Sequence, residues 1–278
     1  MSVKSFFEVA GHRAEFDAFF PDLPAEELGP IRVSSASPAS ASLLGTAFDY
    51  GCRFHLLVRN GRLAVERDLW IAERAPKVAA ARGGDAATLA SFELALIAGR
   101  QAQDRVRRSG GTFDDDALDA IFLLAQLDVV FRTKRLHGAC RCPTAGERDE
   151  LRQALALVAE QSAFTAQKRC LLNPVFGAGS TLIGGADGDV IIDDVLIDLK
   201  LSAKSKLQRS WWREVITYLA LDDLGTQRGL SGVGIYLARC GTFGTLSADR
   251  VRLPSGRYDK FLQWLQLRAS QQVGSGEQ

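Results

Sequence analysis

Apolar positions divide the chain into a helical first half and a strand-rich second half. Over residues 114–135, Leu118, Ile121, Phe122, Ala125, Val129 and Phe131 recur at close to helical spacing, with Asp114 to Asp116 where the helix dipole favours negative charge. The spacing predicts a helix there. Up to about residue 140 the pattern stays mainly helical, broken by loops at 34–42 and 82–85, where small residues and a Gly-Gly pair interrupt it. Residues 54–65, with Asn60-Gly61 between FHLLVR and RLAV, read either as a hairpin or as a helix–turn–helix joint. Gly138, Pro143, Thr144 and Gly146 then mark a domain boundary near 140, and ERDE followed by LRQALALVAEQ opens another helix.

Beyond that helix, STLIGG, DVIID and VLIDLKLS are short apolar runs separated by Gly184-Gly185 and Asp193-Asp194, which predicts three consecutive strands. Helical spacing returns over 207–224 through Leu207, Trp211, Val215, Tyr218, Leu219 and Leu221. GVGIYLA reads as a further strand and 258–271 as a terminal helix. The expected organisation is a mainly helical N-terminal domain over 1–140, an α/β domain over 141–272 running α, β, β, β, α, β, α, and a disordered Gly/Ser-rich tail at 273–278.

Composition changes this picture little. The 278 residues are 46% hydrophobic and 24% charged, and 34 Lys+Arg against 33 Asp+Glu leave a net charge of +1, so attraction to nucleic acid has to come from local clusters. No apolar stretch approaches the ~18 residues of a bilayer span. Glu8, His12, Arg13, Glu15 and Asp17 interrupt the N-terminus, which lacks the apolar run of a secretory signal, and five cysteines are too few and too scattered for a disulfide framework. A cytoplasmic protein with reduced thiols and no membrane association is expected.

Charge is locally segregated at one place. Residues 185–198 hold Asp187, Asp189, Asp193, Asp194 and Asp198 with no basic residue, whereas 200–213 hold Lys200, Lys204, Lys206, Arg209 and Arg213 with no acidic one. Carboxylates beside cations are what a metal-dependent phosphodiester site requires: the acids hold a cation and the bases hold phosphates. Strand alternation puts Asp198 and Lys200 on one face, and antiparallel pairing through Asp193-Asp194 brings Asp189 near Asp198. Asp187 shares the parity of Asp189 and competes with it, Asp189 being preferred. Two carboxylates, the Leu199 carbonyl and a substrate phosphate suffice for Mg²⁺ or Mn²⁺. Lys204, Lys206, Arg209 and Arg213 are the expected phosphate contacts, and Trp211, Trp212 and Tyr218 are candidates for stacking on bases, with core packing as the competing account of the tryptophans.

The segment GGADGDVIIDDVLIDLK resembles the PD-(D/E)XK nuclease superfamily, in its RecB-like and Cas4-like branch, over roughly residues 147–240. The resemblance matches Asp189 to the first acid, Asp198 and Lys200 to the D-x-K triplet, and Glu214 and Tyr218 to the glutamine and tyrosine of the following helix. Glu214 stands where the pattern has Gln. It implies an αβββαβ core around a central mixed sheet, a catalytic set of Asp189, Asp198, Lys200, Glu214 and Tyr218, and hydrolysis of DNA rather than RNA in repair, restriction or phage defence. Family sites often add an acid from the helix before the strands, for which Glu160 and Glu150 are candidates. A catalytically inactive module of the same fold, binding nucleic acid or protein, is the alternative, and the N-terminal helices offer a docking platform for a protein partner.

Other signals point elsewhere or nowhere. His137, Cys140 and Cys142, with Cys170, have no standard zinc spacing, no G-x-S-x-G elbow occurs, and GAGST lacks the lysine of a P-loop. Asp49 and Asp128 are candidate functional acids of the N-terminal half, which helix capping and surface pairing explain equally well.

Overall fold

The computed structural model describes residues 3–36, 38–67, 69–136, 140–252 and 256–275. The chain runs α1 (Val3–Phe6), α2 (His12–Phe19), α3 (Ala41–Asn60), β1 (Ala64–Glu66), α4 (Ala75–Ala81), α5 (Ala86–Arg108) and α6 (Asp115–Thr133). It continues through α7 (Ala145–Glu160), β2 (Cys170–Leu172), α8 (Ala178–Leu182), β3 (Val190–Ile192), β4 (Val195–Lys200), α9 (Arg209–Leu224), β5 (Gly232–Leu237), β6 (Thr242–Ser247), α10 (Ala248–Arg252) and α11 (Arg257–Ser275). Among the described residues no helix is long and apolar enough to cross a membrane.

Local chemistry sets the element ends. Asp114 accepts the Ala117 N–H at 2.8 Å to cap α6, and Thr144 and Glu147 form a reciprocal capping box at the start of α7. Asn60-Gly61 makes neither of the expected joints. Gly61, at φ 49, ends α3, a short 3-10 turn follows, and the chain enters β1. The Asn60 side chain holds this exit by bonding the Leu56 and Phe164 carbonyls and the Ala166 N–H.

The six strands form one mixed sheet in the order β1-β2-β3-β4-β5-β6. β1 runs parallel to β2, β2, β3 and β4 are antiparallel neighbours, β4 runs parallel to β5 across α9, and β6 returns antiparallel to β5. From α7 to β5 the order is α, β, α, β, β, α, β: α8 interrupts the expected α, β, β, β, α, β between β2 and β3. STLIGG is not a strand: its first three residues lie in α8 and its last two, Gly184 and Gly185, take φ of 73° and 111°. Ser180 explains the helix, since its hydroxyl accepts the Phe176 N–H at 2.7 Å and donates to the Ala186 carbonyl at 2.6 Å, closing a compact loop. α8 lies so close to α9 that a Cβ on Gly179 would fall 2.0 Å from the Leu221 carbonyl oxygen. Val273 to Ser275, expected in the tail, continue α11, and 276–278 lie outside the described residues.

Strand alternation gives each face of the sheet its own core. Val190, Ile192, Ile197 and Tyr236 pack with α3, α5, α6 and α7, whereas Ile191, Leu196, Val233, Ile235 and Leu237 pack with α9, α11 and the phenylalanines of α1 and α2. The hydrophobic core therefore crosses residue 140 on both faces, and β1 from the first half completes one edge of the sheet.

Candidate carboxylate site

The pairing of Val190 with Ile197 and of Ile192 with Val195, carried one residue further, sets Asp189 opposite Asp198. Asp189 leaves the ladder at this point: its Oδ2 accepts the Leu199 main-chain N–H at 2.6 Å. Asp198 is 3% exposed, and Lys200, two residues on along β4, places Nζ 2.8 Å from its Oδ2. Lys200 also reaches Glu214 Oε2 at 2.7 Å, and Tyr218, one helical turn beyond Glu214, donates its hydroxyl to Glu214 Oε1 at 3.3 Å. The five expected catalytic residues thus come together from the entry of β3, the end of β4 and one stripe of α9. Asp187 is turned to other partners: it accepts from Asn173 Nδ2 at 2.9 Å and pairs with Arg67 at 3.6 Å.

The charges are strongly perturbed. Burial drives the Asp189 carboxyl well above the usual aspartate range, the charges of Asp198 and Asp49 add to this, and Lys200 and the Leu199 N–H offset only part of it. Asp198 is pushed up to about 7, first by burial, with Lys200 opposing and Glu214 reinforcing. Burial works against the Lys200 ammonium, but Asp198, Glu214 and Asp189 together hold it above its ordinary value, so it stays charged.

Asp49, which the sequence left without an assigned role, belongs to this neighbourhood. It lies on α3, close enough for its charge to raise both Asp189 and Asp198. Arg53 binds its Oδ2 at 2.7 Å, while Oδ1 is buried with no hydrogen-bond partner. Asp128 on α6 pairs with Arg132 at 2.5 Å and accepts the Tyr50 hydroxyl at 3.4 Å. The signal was in GTAFDYGCRF: a carboxylate and an arginine four apart, among Phe48, Tyr50, Cys52 and Phe54, all of them buried.

Among the described residues no three Asp, Glu, His or Cys side chains converge into a ready-made metal cage. The donors present are nonetheless all oxygens, and the unpartnered Asp49 Oδ1 marks unmet demand for a cation. Among the described residues Arg53, Arg67, Arg132 and Lys200 are the cations paired with Asp49, Asp128, Asp187, Asp198 and Glu214, and burial holds Asp49, Asp189 and Asp198 toward the protonated form, so a divalent ion would have to displace protons there. Hard oxygen donors fit Mg²⁺ or Mn²⁺, which bind through few protein ligands and keep several waters.

Other expected contributors are engaged elsewhere. Glu150 forms a fully buried ion pair with Arg239 and accepts the Ala36 N–H at 2.6 Å, and Glu160 pairs on the surface with Arg32 at 3.1 Å. Arg209 and Arg213 are bound to Asp17 at 3.0 and 2.7 Å, and Arg209 also donates to the Phe20 and Pro21 carbonyls, so neither is free for phosphate. Lys206 lies in a backbone bridge to Glu27, and Lys204 donates to Gln208. Trp212 is buried with Nε1 on the Pro24 carbonyl, Trp211 packs half-buried against the same core, and Tyr218 stacks on Phe176 at 5.4 Å. His137 lies outside the described residues, and Cys170 is a buried residue of β2.

Glu214 and Tyr218 reach the surface in a cleft of about 840 Å³. Its walls also include Lys4 of α1, Arg67 and Arg74, and Phe131, Arg132 and Lys134 at the end of α6. Comparison of the chain with protein-family models, curated proteins and solved structures finds no match.

Proposed function

We propose that the protein is a Mg²⁺- or Mn²⁺-dependent nuclease hydrolysing phosphodiester bonds of DNA, with the PD-(D/E)XK resemblance describing its β3–β4–α9 region. The observation that supports this is Asp189 accepting the Leu199 N–H next to Asp198, which is ion-paired with Lys200 two residues along the strand. Asp189, Asp198 and the Leu199 carbonyl would hold the ion, and Asp49 adds a partly buried acid whose Oδ1 is unpartnered. Bound there, the ion would supply Lewis acidity at the scissile phosphate.

The remaining work falls to the chain. Lys200, kept cationic by its carboxylate neighbours, stabilises negative charge developing on the phosphoryl oxygens. Glu214 fixes its ammonium, and Tyr218 fixes Glu214. Water adds to phosphorus, the ester P–O bond breaks, and the departing oxygen takes a proton.

A catalytically inactive module is favoured by one observation: Asp198, Lys200 and Glu214 already form a closed ion triad. Incubating single-stranded and duplex DNA with Mg²⁺ or Mn²⁺, for the wild type beside Asp198→Ala and Lys200→Ala, separates the two. Metal-dependent cutting lost in both variants supports the nuclease; DNA binding without cutting by the wild type supports the module.

A further inference from the structure

We propose that Arg74 and Lys134, steadied by Phe131 and joined by Lys4, bind the backbone phosphates of one nucleic-acid strand and lead it to the Asp189–Asp198 site. This rests on the nuclease reading and adds a single-strand preference together with the residues that carry it.

Three observations support it. Arg67 and Arg132, also in the cleft wall, are paired with carboxylates, but Lys4, Arg74 and Lys134 have no carboxylate partner among the described residues. Their charge is available to a ligand. Lys134 Nζ lies 3.7 Å and Arg74 Cζ 5.5 Å from the Phe131 ring centroid. An aromatic ring orients a cation through its quadrupole without neutralising it, so the two cations are positioned yet remain attractive to phosphate.

Lys134 also occupies an unexpected position, ending α6 in the left-handed region at φ 58 and ψ 23. Glycine is the ordinary residue there, because a Cβ is disfavoured in that conformation. A lysine costs stability at such a site and gains from its cationic side chain at the cleft.

Size argues for a single strand. The cleft falls in the range of small-ligand pockets, roughly 300–1,000 Å³. A duplex, whose major groove alone is ~12 Å across, does not enter such a space, whereas one backbone does. Of the residues of the carboxylate site, Glu214 and Tyr218 line the cleft, so the strand that it admits to them is already unpaired.

The test is fluorescence anisotropy with the full chain in EDTA, using labelled oligodeoxythymidylate, oligouridylate and a blunt DNA duplex. The wild type is expected to bind one or both single strands more tightly than the duplex, the two homopolymers telling DNA from RNA. Arg74→Glu and Lys134→Glu together should weaken single-strand binding at least roughly tenfold and flatten the salt dependence by ~1.4, two phosphates at ~0.7 each. Lys134→Gly removes the charge while suiting the backbone, so it should melt no lower than the wild type yet bind more weakly. Lys260→Glu, an exposed lysine outside the cleft, should change nothing. Wild-type preference for duplex, absence of binding, or unchanged binding by the cleft variants would overturn the proposal. Because no metal is present, cleft-dependent binding without any cutting would sink only the nuclease reading, and cutting with binding indifferent to the cleft only this one.

Discussion

Glu214 holds the Lys200 ammonium at 2.7 Å from a position one and a half turns into α9, where the resembling pattern carries glutamine. The carboxylate binds the lysine more firmly than an amide would, and it adds negative charge beside Asp198. Glu214→Gln is therefore expected to retain cleavage and to lower the Asp198 pKa from about 7, moving the acid limb of the pH–rate profile to lower pH. Lys200→Ala should cost ~10²–10³-fold in rate with the profile's limb also displaced. A Glu214→Gln profile superimposable on the wild type would remove Glu214 from the electrostatics of the site.

Metal binding should stabilise the protein most at high pH. The folded-state pKa of Asp198 is raised to about 7 from an unfolded value of ~3.9, so between these values the folded chain holds more protons than the unfolded chain. Stability from this group is greatest below ~3.9 and is lost as pH rises through 7. A divalent ion relieves the repulsion only when the carboxylate is ionised, so the Mg²⁺-induced rise in melting temperature should grow from pH 6 to pH 8. A rise independent of pH would mean that the ion binds elsewhere.

Asp49→Asn removes a charge that raises both Asp189 and Asp198 while leaving an oxygen for Arg53. Metal affinity, read from the Mn²⁺ concentration needed for half-maximal cutting, should weaken roughly tenfold, in the range expected for groups supporting a metal site. The melting temperature in EDTA should fall, since the buried Arg53 guanidinium loses the carboxylate it is paired with.

Glu150 and Glu160 are the acids of α7 that the sequence offered as candidates, and their surroundings predict opposite behaviour. Breaking the fully buried Glu150–Arg239 pair with Arg239→Leu should cost ~3–5 kcal/mol by chemical denaturation. Glu160→Ala should change stability by no more than ~1 kcal/mol, because Arg32 and Glu160 are both about half exposed. Comparable losses at the two positions would contradict this arrangement.

The site was more legible than the helical half. β3, β4 and β5 are continuous aliphatic runs with a turn or a helix between them, and Asp193 indeed takes a left-handed φ of 53° in the β3–β4 turn. Alternation then fixes the neighbours of Asp198 without further knowledge. β2 was not read from the sequence, and STLIGG imitated a strand because the hydrogen bonds of Ser180 that make it a loop are tertiary. The basic run at 200–213 misled for a similar reason: its arginines are claimed by Asp17, almost 200 residues away in sequence. Asp49 was visible only as a charge among apolar neighbours, and nothing local reveals that α3 meets the sheet beside Asp189.

That meeting makes the two halves of the chain mutually dependent. A fragment starting near residue 140 would carry the strands that hold Asp189, Asp198 and Lys200, yet it would present a bare aliphatic sheet surface to water and lack Asp49, Phe131 and Lys134. Cutting the polypeptide there would split the packing on both faces of the sheet and leave apolar surface exposed on each piece.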